Sequence, residues 1–95
     1  MSKPFDLPDE MTIYSAVETR DKLLAWTSEQ SSKNADVFEV SAAHVTEIDG
    51  AGLQVLAAWV NMDQPWKILQ PSAAFTHACE AMGLVQWLTP SAHQP

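Results

Sequence analysis

The spacing of apolar positions changes period several times along the chain, and each change marks an element. Phe5 to Leu7 and Met11 to Ile13 are short apolar pieces on either side of Pro8, Asp9 and Glu10, which predicts two small strands joined by a turn. From Ser15 the period lengthens. Ala16, Val17, Leu23, Leu24 and Thr27 recur at helical spacing, and Ser15 with Glu18 forms a Ser-x-x-Glu capping box, so a first helix is expected from about Ala16 to about Gln30. The polar run Ser31, Ser32, Lys33, Asn34 reads as a surface loop, and the β-favouring Val37, Phe38 and Val40 as a central strand.

His44 to Glu47 forms a connection that leads through Ile48 and Asp49 into Gly50-Ala51-Gly52. Leu53, Leu56, Ala57 and Val60 then return at helical spacing, so a second helix starts near Ala51. Trp59 is offset from that stripe and is expected at its edge, partly exposed. Trp66 to Leu69 supplies another strand between Pro65 and Pro71, and Ser72 is placed to cap a third helix whose inner face holds Phe75, Ala78, Cys79 and Met82. Gly83 stops this helix in the left-handed conformation, with Leu84 folding back as its apolar partner and a turn containing Val85 and Leu88 after it. The tail 90–95 is expected to be disordered.

Strands alternating with helices imply right-handed crossovers between parallel strands. The fold class is therefore α/β: a single small domain over residues 1–95, with one mixed, mostly parallel β-sheet covered by helices. A hydrophobic share of 46% over 95 residues supports an independent core. Trp26, Trp66, Trp87 and Cys79 are assigned to it.

Charge narrows the partners. Twelve acidic side chains against five basic ones leave a net charge of −7, a field that repels phosphate backbones and anionic lipid and attracts basic protein surfaces. No nucleic acid is expected as a partner. No direct membrane insertion is expected either, since the longest apolar run, Val55 to Val60, falls far short of the roughly 20 residues a spanning helix needs. The N-terminus lacks a basic start followed by an apolar stretch, and the lone cysteine suits a reducing compartment, so a cytoplasmic location is expected.

His44, His77 and His93 share no metal-ligand spacing, and Ser15 and Ser72 are worth more as helix caps than as nucleophiles. No metal, no cofactor and no catalysis are expected. Gly50-Ala51-Gly52 begins like a dinucleotide fingerprint, but Val55 stands where the third glycine belongs and no Lys-Ser or Lys-Thr pair follows for a phosphate loop. Weak nucleotide binding at the start of the second helix is kept as an alternative, because helix amides and dipole attract phosphate.

The segment from Asp49 to Gln54 stands out. A strand end feeding two glycines and an alanine presents free amides at a helix start, small residues allow another backbone to approach closely, and Asp49 is placed to accept from those amides. The run Val45-Thr46-Glu47-Ile48-Asp49-Gly50-Ala51-Gly52-Leu53-Gln54-Val55-Leu56 resembles the signature of STAS domains, in which an Asp, two small residues, Gly and Leu link a strand to a helix. The likeness extends to a Thr-Ile-Tyr-Ser entry to the first helix and to Gln70-Pro71-Ser72 before the third.

The resemblance implies a protein-binding module similar to anti-sigma factor antagonists, which present this loop to a kinase-like anti-sigma factor. It assigns partner binding to Asp49, Gly50, Ala51, Gly52, Leu53 and Gln54. Ala51 occupies the position that matches the family's phosphorylated serine, and with Gly50 before it the loop has no hydroxyl to modify. Ile13, Tyr14 and Ser15 also replace an acidic residue found at the entry to the first helix in some antagonists. Similar STAS proteins act with chemotaxis proteins or with the ATPase of lipid-transporting ABC complexes, so these are alternative partner classes.

Overall fold

Residues 3–33, 36–61, 64–89 and 93 are described by a computed structural model of the chain. Asn34 of the expected loop and, apart from His93, the expected disordered tail lie outside the described residues. The centre of the fold is β3 (Phe38–Ser41), paired in parallel with β1 (Phe5–Asp6) on one side and β5 (Trp66–Leu69) on the other. Its alternation sends Phe38 and Val40 to one face beside Trp66 and Ile68, all buried, and Glu39 to the other, where it lies 3.9 Å from its register partner Lys67. A central strand bounded by β-branched and aromatic residues is what the sequence predicts.

The two small N-terminal strands both exist but do not pair with one another. β1 extends the three-stranded sheet, whereas β2 (Glu10–Met11) pairs in parallel with β4 (Glu47–Ile48) to make a second sheet of two strands. The single sheet expected from the element order is thus two sheets. The chain turns away at Pro8 after the Leu7 amide donates to Ser41 O, and the Asp9 carbonyl then accepts from the amides of Thr46 and Glu47.

Helices α1 (Ala16–Ser32) and α2 (Gly50–Val60) pack together and cover the apolar face of the larger sheet. Trp26 of α1 meets Phe5 and Phe38 edge-on or tilted, at 5.7 and 5.8 Å between ring centroids. Trp59 of α2 contacts Trp66 at 6.2 Å, and its indole N–H donates to Thr27 Oγ1 at 2.9 Å, which fastens α2 to α1. Trp59 is therefore in the core, not at a partly exposed edge. The buried stripe of α2 runs through Gly52, Leu53, Leu56 and Trp59, one side of a helix that the Leu53, Leu56, Ala57, Val60 reading placed slightly askew.

A larger correction falls on α1. Its buried positions are Thr19, Leu23 and Gln30, with Trp26 half-buried, while Val17 is 61% and Leu24 53% exposed. Trp26 sets this rotation, because its ring has to reach Phe5 and Phe38, which turns Val17 and Leu24 outward.

After β5, Ser72 Oγ accepts from the Phe75 amide at 3.1 Å and begins α3 (Ala73–Ala81), whose Phe75 and Cys79 are fully buried. Met82, assigned to that inner face, is exposed because it already sits at the helix end. Gly83 takes φ +73°, and the Leu84 amide reaches back to Cys79 O at 2.7 Å while the Gly83 amide donates to Glu80 O at 3.4 Å, the paired bonds of a Schellman stop. A short 3₁₀ turn, Val85–Leu88, buries Trp87 against Trp66. His93 forms an antiparallel bridge to Trp66 and stacks on its ring at 4.1 Å.

Candidate functional site

Asp49 follows β4 in extended conformation and caps α2 through its side chain. Oδ1 accepts from the amides of Ala51 at 2.9 Å and Gly52 at 3.1 Å, satisfying two of the donors that a helix start leaves unpaired. Oδ2 accepts from the Ile13 amide at 3.1 Å, so the same carboxylate ties the loop before α1 to the start of α2. These bonds from Gly52 and Ile13 favour the ionised form and hold the carboxyl below its ordinary value. The amides that a phosphate would use at this helix start are thus bonded to the chain's own anion, which counts against nucleotide binding here.

Gly52 has a different duty. A β-carbon there would overlap the Met11 carbonyl oxygen of β2, so the backbone of the small sheet lies directly against α2 and only glycine fits. At Gly50 a β-carbon would meet open space. Of the six residues assigned to partner binding, the structure leaves Asp49, Gly50 and Gln54 exposed and Ala51 half-buried. Gly52 and Leu53 are buried. They lie beneath the surface of the site, because the helix turns them toward β2 and the core.

Residues that sequence pattern assigned elsewhere complete this surface. Ile13 and Tyr14, expected respectively in a strand and at a helix entry, form a protruding loop beside Asp49, with Tyr14 93% exposed. Val17 and Leu24 continue along the outer side of α1, and a cleft of about 120 Å³ between the helices is lined by Leu24, Arg20, Val55 and Ala58 above buried Leu23 and Trp59. One signal was legible: Gly50 to Val60 contains no charged side chain, yet a helix on top of a sheet must turn one side outward.

Ser15, the expected cap of α1, makes no cap bond to the helix. Its hydroxyl donates to Glu10 O at 2.7 Å and accepts from the Thr12 amide at 3.1 Å, which folds the preceding loop instead. Glu18, freed from the capping box, pairs with Lys22 at 2.8 Å, and that ammonium lowers its pKa. Cys79 is buried beside Glu80, and desolvation with that negative charge pushes its thiol up to about 11, the opposite of an activated nucleophile.

No family model, no curated protein and no solved structure matches this chain. The likeness to STAS domains therefore rests on the residues from Val45 to Leu56 and the elements around them.

Proposed function

We propose that this protein is a non-enzymatic docking module, resembling anti-sigma factor antagonists, that binds a kinase-like or chemotaxis signalling protein through the outer side of α2 and the adjoining Ile13–Tyr14 loop. The observation that carries this is the uncharged helix α2, which leaves Gln54 and Ala58 exposed, with Ala58 sharing a cleft with exposed Leu24 and with exposed Ile13 held at the helix start by Asp49. Scattered apolar residues on a surface need no explanation, but a contiguous set on neighbouring elements marks an interaction surface. Asp49 and Gly52 serve that surface by fixing the geometry of its rim. With Ala51 in place of a hydroxyl residue, binding is not switched by phosphate in this loop.

A photo-crosslinking amino acid at Gln54, compared with one at exposed His77 on α3, tests the proposal in living cells. A discrete protein adduct is expected from position 54 alone, and it should be lost on Ala58→Glu while circular dichroism stays native. Buried unpaired charge at an interface costs several kcal/mol, whereas a glutamate at an exposed helix position costs the fold little. Equal adducts from both positions, or an adduct indifferent to Ala58→Glu, would remove α2 as the docking face.

A further inference from the structure

The larger sheet has two faces, and the helices cover one of them. α1 and α2 lie over Phe38, Val40, Trp66 and Ile68, while α3 packs against β4 and the Val85–Leu88 turn. The opposite face carries the alternate residues. Glu39 and Lys67 form one register pair, each about one-third exposed, and Asp6, Ser41 and Leu69 form the next row. A sheet whose strands all pair in parallel is covered on both faces in nearly all folds, so a face left open among the described residues calls for a cover.

Two observations bear on what that cover is. Ser41 is the smallest side chain of its row, and a depression of about 460 Å³ opens around it, reaching from Leu69 across Asp6 to Lys3. Half-buried Leu69 stands beside this hollow as the apolar side chain of the row. Charge is the second observation. Of the five basic residues, Arg20, Lys22 and Lys33 are spent on ion pairs within α1, and the other two, Lys3 and Lys67, both lie on this face. They balance Asp6 and Glu39, so the face is neutral and the whole net charge of −7 is carried elsewhere. Two copies of an acidic chain repel one another least across such a face.

We propose that this face pairs with the same face of a second copy of the chain, about a two-fold axis running along the strands between β3 and β5. Such an axis exchanges the two strands. It sets Glu39 of each copy opposite Lys67 of the other, and Leu69 of each copy over Ser41 of the other, because both are register pairs on β3 and β5. The interface is thus two crossed ion pairs and two leucines seated in hollows, between sheets about 10 Å apart. Within one chain Glu39 and Lys67 stand 3.9 Å apart, too far for a good charged hydrogen bond, so both have capacity for the second copy. The pairing does not depend on the docking role proposed above. α1 and α2 lie on the far side of each sheet, so the dimer turns two copies of the α2 surface outward and offers them to a bivalent partner.

Sedimentation equilibrium of the full chain from micromolar to millimolar concentration, with circular dichroism as the check of fold, tests the pairing. A reversible equilibrium between monomer and dimer is expected. Glu39→Lys and Lys67→Glu should each weaken it about tenfold, because two attractive contacts become repulsive in either homodimer. An equimolar mixture of the two variants should associate again as a heterodimer, since one copy then offers two cations and the other two carboxylates. The chain carrying both substitutions should dimerise like the parent for the same reason. Leu69→Ala should weaken pairing, and Ala58→Glu, on the outward side of α2, should leave it unchanged. A chain that stays monomeric throughout, a dimer indifferent to Lys67→Glu, a doubly substituted chain and a variant mixture that both fail to associate, or a dimer lost on Ala58→Glu would each overturn the assignment.

Discussion

The starts of α1 and α2 look alike in sequence and behave differently in space. Each follows a two-residue strand of the smaller sheet, and each has a capping residue in front of it, Ser15 in one case and Asp49 in the other. Asp49 caps its helix and also holds the Ile13 amide, so one side chain organises two loops. Ser15 turns its hydroxyl back to Glu10 and Thr12, so its side chain gives nothing to the helix. A carboxylate with two oxygens can serve a helix and a loop together, while a single hydroxyl has to choose. The choice at Ser15 folds the 12–15 turn, which lifts Tyr14 into solvent.

Gly52→Ala should break the arrangement around α2 most severely. The new methyl group meets backbone, which has no rotamer to escape into, and a loss of about 1–3 kcal/mol or more is expected from overpacking. Its counterpart Gly50→Ala has room for the methyl and should be neutral or stabilising by up to about 1 kcal/mol. Urea denaturation of the two variants checks this; equal effects would mean that α2 does not rest on the Met11 backbone.

Asp49→Ala comes next, because it frees three backbone amides at once and loosens the Ile13 loop with the helix start. It should cost more than Ser15→Ala and should also enlarge amide exchange at Ile13. The pH dependence follows from the lowered carboxyl pKa. Since the folded value lies below the ordinary 3.8, the stabilisation is fully present above that pH and is lost as pH falls through the folded value. Melting curves of the chain and of Asp49→Asn should therefore converge on acidification. Curves that stay parallel would show that the carboxylate's charge contributes nothing.

Ser15→Ala should have the smallest destabilising effect, about 1 kcal/mol or less, confined to the turn before α1. Hydrogen exchange should rise at Thr12 and leave the first turn of α1 unchanged. A rise at the helix start would restore the capping role that the sequence predicted.

Much of the fold was legible because its signals are local. The strand Trp66–Leu69, the Ser72 cap, the Gly83 stop with Leu84 folding back, and the start of α2 at the Asp49 loop all depend on backbone preferences within a few residues, and the structure bears them out. Asp49 was legible as a cap for the same reason. The Ile13 contact was not, since those residues lie 36 positions apart.

The sequence by itself determined the three helices and most of the strands, although it read Ser31 and Ser32 as loop where α1 continues and 44–47 as a connection where β4 begins. It also determined where two of the three helices are capped, and that the chain is acidic with an uncharged second helix. Tertiary structure decided which side of each helix is the surface. Helical periodicity gives the spacing of a face but not its direction when apolar residues occur on both sides, as they do on α1. There the contacts of Trp26 with Phe5 and Phe38 turn Val17 and Leu24 outward, and the bond from Trp59 to Thr27 pulls that tryptophan inward. The division of the strands into two sheets was likewise decided by register between distant segments, which no local pattern encodes.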